Sequence, residues 1–195
     1  AAVAAEALGY HATPTPFAAA LVMAPLALIA SGDRAQQKAW LPRIASGEVR
    51  IGVGFAGMSG QTGEAAVRLA GNMLSGCVTG VLDGGNATHF IVYLDDGRAG
   101  LFAAVGEPGV SVSTHRSLDR TRPLTALVLH DAGVEILGAA NDPKAAATAV
   151  LDAGRVMLAA DTLGAAQSMF DKALLYSKER VQFDRVIGSF QAVKH

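Results

Sequence analysis

Residues 176–191 read YSKERVQFDRVIGSFQ. A long helical pattern runs into this stretch and stops there. An arginine, two glutamines and two phenylalanines then crowd the helix end, and Gly188 and Ser189 open a further helix. Arg180 is a permanent cation whose planar donor fork suits phosphate. Phe183 and Phe190 offer flat apolar faces to a ring system, and Gln182 and Gln191 add amide donors and acceptors. Residue chemistry alone also permits a plain helix terminus, in which the arginine solvates the last carbonyls and the two rings enter a core.

Upstream, Asp142 is a good N-cap and Pro143 a good first helical residue, so a helix is predicted from 144 to about 181. Its apolar positions include Val150, Leu151, Leu158, Met169, Ala173 and Leu174. Within it, Asp152 and Arg155 stand three apart and share a face, which on spacing alone is a surface ion pair. Before that helix the texture is different. Short Val/Ile/Leu runs at 49–55, 66–69, 73–82, 89–94, 100–105, 110–114 and 125–129 are predicted strands, most of them bounded by turn pairs such as Gly71 with Asn72, Asp96 with Gly97 and Pro108 with Gly109. Strands in series without intervening helices imply an antiparallel sandwich or barrel.

The first residues are helical again. A helix over 1–10 closes at Gly9, and Pro14 and Pro16, which lack donors, prevent its continuation. Residues 17–31 are apolar nearly all round, so that helix is buried and ends at Gly32. Asp33 caps a short helix over 34–41 that turns Gln36, Gln37 and Lys38 to water and Trp40 and Leu41 inward, and Pro42 breaks or restarts it. The fold class is therefore α+β. A helical piece (1–48) precedes an antiparallel β-sandwich or barrel (49–140), and 141–195 begin a C-terminal helical bundle.

Charge and composition exclude several function classes. Sixteen basic residues against seventeen acidic ones, with no basic run longer than a pair, leave no footprint for nucleic acid. A single cysteine, Cys77, rules out an intrachain disulfide framework and fits a reducing, cytoplasmic setting. The five histidines are scattered without ligand spacing, so no metal site is expected. The apolar run at 17–30 is shorter than the roughly 20 residues of a membrane span and contains Pro25, so it reads as a buried helix. Gly52, Gly54 and Gly57 satisfy G-x-G-x-x-G, but no helix can open directly after them, so the dinucleotide fingerprint lacks its context. Ser59 in GMSGQ misses the final glycine of a nucleophile elbow.

Taken in order, WLPRIASGE at 40–48, LSG at 74–76, GGNATHFIVY at 84–93, PGV at 108–110, LDRTR at 118–122, LG at 163–164, then R-x-Q-F at 180–183 and F-Q at 190–191 resemble the acyl-CoA dehydrogenases. These flavoenzymes oxidise acyl-CoA thioesters. The resemblance implies helices, a β-domain and a four-helix C-terminal bundle, with the chain truncated at both ends and the apolar face of 145–175 lacking its covering helices. It also implies FAD bound between β-domain and bundle, with Arg180, Gln182, Phe183 and Gln191 reaching the FAD of a neighbouring subunit in a dimer or tetramer. Asp152 and Arg155 would contact the CoA part of the substrate. Electrons would pass to an electron-transfer flavoprotein or a similar acceptor. No catalytic residue is assigned, because the family's glutamate base falls either at Gly154, which has no side chain, or beyond His195.

The flavin side departs from the family pattern. Ala56 stands where a hydroxyl bonds the flavin edge, Gly80 where an aromatic stacks on the ring system, and Leu82 where a threonine bonds it. The family's G-S-D falls at Gln61, Thr62 and Gly63, and Asp184 replaces the glycine of Q-F-G. Two readings follow: a catalytic dehydrogenase with a divergent flavin pocket, or a non-catalytic partner subunit of a heteromeric dehydrogenase that completes its neighbour's FAD site.

Overall fold

A computed structural model describes residues 1–58, 60, 66–103, 106 and 108–195. Ser59, the counterparts of G-S-D at 61–63 and the last two residues of the strand expected at 100–105 lie outside the described residues. Contacts divide the chain into two compact units, Pro14–Val156 and Ala1–Thr13 with Met157–His195.

In the larger unit, two four-stranded sheets carry the core. The first has the order β1 (Ile51–Phe55), β4 (His89–Tyr93), β5 (Ala99–Ala103), β8 (Glu135–Leu137). The second has β2 (Arg68–Ala70), β3 (Met73–Val81), β7 (Thr125–Gly133), β6 (Val110–Thr114). Among the described residues, all pairings are antiparallel except one. β1 runs parallel to β4, from Ile51 opposite His89 to Phe55 opposite Tyr93, so the middle layer is mixed. β8, which the sequence reading missed, is only three residues long and pairs with β5.

β4 explains why HFIVY is apolar without alternation. Ile91 and Tyr93 enter the cluster formed with the helices, while Phe90 and Val92 enter the cluster between the sheets. A strand buried on both faces needs apolar residues at every position. The same geometry explains Gly52 and Gly54. A Cβ at Gly52 would come within 2.9 Å of the Phe90 ring, and one at Gly54 within 2.9 Å of Val81. Of these glycines of the G-x-G-x-x-G pattern, Gly52 makes room for the Phe90 ring of the adjacent strand and Gly54 admits β3 of the other sheet.

Three helical segments cover the first sheet. Phe17–Met23 is wound as a π-helix and continues into α2 (Ala24–Ser31). Pro25 cannot donate, which disfavours regular α-winding in the preceding turns. The first free donors of this segment are capped from a distance: Ala19 N–H donates to Asp83 Oδ2 at 2.7 Å, and Ala20 N–H is directed to the same carboxylate. Asp83 sits in the β3–β4 turn with φ 55°, a conformation that Asp tolerates better than most residues. Burial raises its pKa, opposed by the two backbone donors and by Arg122. An acid with a raised folded-state pKa stabilises less as pH climbs from the ordinary carboxylate range up to that raised pKa, because the ionised form is the one penalised. Asp83→Ala is therefore expected to cost about 2 kcal/mol in urea unfolding, since it leaves inward-facing N–H groups unpaired. Asp83→Asn keeps an acceptor without the buried charge and should unfold close to wild type at neutral pH.

α3 (Arg34–Ala45) opens on a complete capping box, with Gln36 N–H donating to Asp33 Oδ1 and Asp33 N–H to Gln36 Oε1. Gln36 also donates to the Ile136 carbonyl, so it does not simply face water. Pro42 neither breaks nor restarts this helix, which runs on to Ala45. The proline ring lies exposed, as does Lys38, whose carbonyl loses its usual partner, so water can take the place of the missing bond.

In the smaller unit, α1 (Ala2–Tyr10) packs against the second half of α4 (Pro143–Glu179). Gly9 does not close α1 but sits inside it, buried, where a Cβ would strike the Asp161 carbonyl oxygen. Gly164 is its counterpart, meeting the Glu6 carbonyl oxygen and Tyr10 N. Tyr10 O–H donates to Asp171 Oδ2 at 3.0 Å and Gln167 Nε2 to Asp171 Oδ1 at 2.8 Å, tying the crossing at one end. Asp142 caps α4 as expected, accepting from Ala145 N–H at 3.0 Å. Val156, Leu163, Phe170 and Leu174 follow one another at helical spacing along α4, and each is more than two-fifths exposed.

Candidate functional site

α4 ends at Glu179, and the chain turns back immediately as a hairpin. β9 (Val181–Gln182) pairs with β10 (Arg185–Val186), Gln182 opposite Arg185 and Val181 opposite Val186. The two residues between them, Phe183 and Asp184, have φ 52° and 58°. A two-residue loop with both positions left-handed matches the strand twist and normally takes Asn or Asp followed by Gly. Here the first position holds an aromatic, an unfavourable conformation for a bulky residue. The strained residue is also the most exposed aromatic among the described residues, at 88%. The departure from Q-F-G is thus located: Asp184 occupies a left-handed position that glycine fits without strain.

The hairpin brings Arg180, Gln182 and Phe183 together. Arg180 is exposed; its N–H donates to the Tyr176 carbonyl and its carbonyl accepts from Ile187 N–H, both at 2.8 Å, so its backbone is fixed at the hairpin base. Gln182 is exposed, and its Nε2 donates to the Val181 carbonyl at 2.8 Å. The Phe183 ring meets Phe190 edge-on at 6.2 Å between centroids. Gln191 follows directly, exposed, as the first residue of α5 (Gln191–Lys194). Arg185 was not singled out in the sequence. Its guanidinium carbon lies 3.8 Å from the centre of the Phe190 ring, adding a second cation to the hairpin and holding that ring by a cation–π contact. The signal was present as a second arginine, five residues after Arg180 and directly after the two-residue turn.

In the other unit, Asp152 and Arg155 form an ion pair, Nη1 to Oδ1 at 2.9 Å, with side chains 56% and 62% exposed. Such a pair is worth at most a few tenths of a kcal/mol and opens readily to a ligand. Gly154 faces the opposite way, against the fully buried Met23, whose sulfur would lie 2.5 Å from an added Cβ.

The three positions expected to face a flavin differ in character. Ala56 is buried in the turn after β1. Leu82 is held by a two-way backbone pairing with Val53. Gly80 has φ 71° at an irregularity between β3 and β7, with open space where a Cβ would point, so an aromatic there has room but not an easy backbone. At these three positions the β-layer carries neither a side-chain hydroxyl nor a ring, whereas the hairpin presents a cation, an amide and an exposed aromatic. The chemistry of the described residues suits a flat, phosphate-bearing group at the hairpin better than at these three β-layer positions.

The family model described as "Acyl-CoA dehydrogenase, C-terminal domain" matches residues 144–195, which contain α4 and the hairpin. The acyl-CoA dehydrogenase FadE27 of Mycobacterium tuberculosis is 31% identical over 200 residues, covering 96% of this chain and 50% of that protein. The chain belongs to the acyl-CoA dehydrogenase family. A solved steroid acyl-CoA dehydrogenase variant, Tcur3481-Tcur3483, superposes with a TM-score of 0.79 at 31% identity, over 98% of this chain and 53% of that one. The glutaryl-CoA dehydrogenase of Mycobacterium smegmatis, solved in complex with FADH2, shares the fold with a TM-score of 0.73 at 24% identity, over 88% of this chain and 47% of that one. The chain spans about half the length of the relatives that it matches along most of its own. Among the described residues, no cluster of three or more potential metal ligands occurs, and no helix is long and apolar enough to cross a membrane.

Proposed function

We propose that this acyl-CoA dehydrogenase chain acts in FAD-dependent α,β-dehydrogenation of an acyl-CoA thioester, within an oligomer that passes electrons to an electron-transfer flavoprotein or a similar acceptor. The observation that carries the reading is the exposed hairpin beyond α4, with Arg180, Gln182 and Phe183 on one short element and Gln191 just after it. Arg180 binds the cofactor pyrophosphate as a planar two-pronged donor. The glutamine amides orient the cofactor, and the Phe183 ring, with nothing of its own chain covering most of it, excludes water from a flat partner. FAD when bound supplies the hydride acceptor for the substrate's β-carbon. Asp152 and Arg155 exchange their weak mutual contact for the CoA portion of the substrate. In this reading residues 1–48 end a helical domain, 49–140 are the β-domain and 141–195 begin the bundle, whose later helices cover Val156, Leu163, Phe170 and Leu174.

The β-layer favours a second reading. With Ala56, Gly80 and Leu82 at the flavin face, the chain serves as a partner subunit whose hairpin completes an FAD site held mainly by a different neighbour. Purifying the full-length protein alone separates the two. Yellow protein that oxidises an acyl-CoA in a dye-linked assay supports a catalytic chain. Colourless protein that acquires flavin only when co-expressed with a homologous neighbour supports the partner role. Colourless protein with no effect on any such neighbour would refute both.

A further inference from the structure

A second polar cleft lies in the larger unit, at the opposite end of β1 from Ala56. Arg50 precedes that strand and Ala56 follows it, so the two ends stand about 17 Å apart. The cleft has a volume of about 160 Å³ and is lined by Thr15, Arg50, Asp83, Asn86, Arg120 and Thr121, with proline rings completing its walls. Pockets that take whole drug-sized ligands run from ~300 Å³ upward. This one suits a single small group.

Four separate segments bring donors to it. Arg50 donates from Nε to the Asn86 carbonyl at 2.9 Å, which fixes the side chain and leaves its two terminal nitrogens for a ligand. Arg120 is exposed, and Thr15 and Asn86 line the other walls, residue types that can offer a hydroxyl and an amide. Thr121 spends its hydroxyl on Asp119, at 2.6 Å, and so holds the 119–121 turn that presents Arg120. Asp83 is the one carboxylate in the cleft. It accepts from the Ala19 N–H and feels the Arg122 charge, so part of its charge is already answered within the fold. Two guanidinium groups with a hydroxyl and an amide exceed what the two oxygens of a carboxylate can use, and they match the three free oxygens of a phosphate monoester.

We propose that this cleft, between the 14–16 segment, the 83–86 turn and the 120–123 turn, binds a phosphate group, free or carried on a small metabolite. The site is independent of flavin and of acyl-CoA, so its failure would leave the dehydrogenase reading untouched. Inorganic phosphate titrated into the protein at low ionic strength, followed by calorimetry and by phosphorus NMR, should bind saturably at one site. Arg120→Gln removes an exposed, charge-assisted donor and should weaken that binding about tenfold without changing thermal unfolding. Arg34→Gln, an exposed cation on α3 outside the cleft, should leave it unchanged. Methyl phosphate distinguishes the sources: tighter binding than inorganic phosphate assigns the site to a carried phosphoryl group, and weaker binding to the free ion. Non-saturable binding, or equal binding by wild type and Arg120→Gln, would overturn the proposal.

Discussion

Arg180→Ala should lower the FAD affinity of the assembled enzyme about a hundredfold while leaving the protein's own unfolding almost unchanged. The two halves of that expectation have separate causes. Two parallel charge-assisted bonds to a pyrophosphate contribute roughly 2–3 kcal/mol beyond what water offers, equivalent to a factor near 100 in affinity. Arg180 is exposed and its structural bonds run through the backbone, which alanine retains, so removing the side chain costs the fold little. Equilibrium titration with FAD, monitored by flavin fluorescence, gives the first quantity and thermal unfolding the second. A variant that unfolds early would mark Arg180 as structural, and one that binds FAD normally would remove it from the site.

Gly164→Ala carries the largest expected cost to stability. The added methyl would press on the Glu6 carbonyl and Tyr10 N of α1, and backbone atoms cannot swing aside as a flexible side chain would. Overpacking of this kind costs about 3 kcal/mol. Gly9 faces α4 in the same crossing, so the loss should fall on the smaller unit first. The only tryptophan, Trp40, belongs to the larger unit and is blind to this change. Hydrogen exchange at the amides of α1 reads it directly: faster exchange there in the variant is expected, and unchanged protection would mean that the crossing is looser than the contacts describe.

The same two glycines show what a sequence conveys and what it hides. Gly9 read as a helix stop because a glycine near the end of an alanine-rich helix commonly ends it. Its use is to admit the carbonyl of Asp161, more than 150 residues away, a contact that no local pattern encodes. Pro42 misled in the same direction, since a proline inside an exposed turn can be tolerated when solvent is able to bond the orphaned carbonyl. The N-caps at Asp33 and Asp142 were legible because both are local, with donor and acceptor three residues apart, although the second half of the box at Gln36 was read as facing water. Asp83 was not: DGGN reads as a turn, and nothing nearby announces that its carboxylate caps a helix 64 residues upstream.

The candidate site was legible as a set of residue types. R-x-Q-F followed by F-Q indicated a cation, amides and rings close together, and the hairpin accounts for their proximity. What spacing did not reveal was the left-handed turn beneath Phe183 and the hold of Arg185 on Phe190. Both turn an irregular helix end into a rigid projection. Strain held at an exposed aromatic is consistent with a residue kept for a contact outside its own protomer.

Size-exclusion chromatography of the full-length protein with flavin absorbance followed across the profile bears most directly on this contact. If the hairpin grips a cofactor held by a neighbour, flavin should co-elute with the oligomer and leave the protein when dilution releases monomers. Monomers that retain stoichiometric FAD would contradict it.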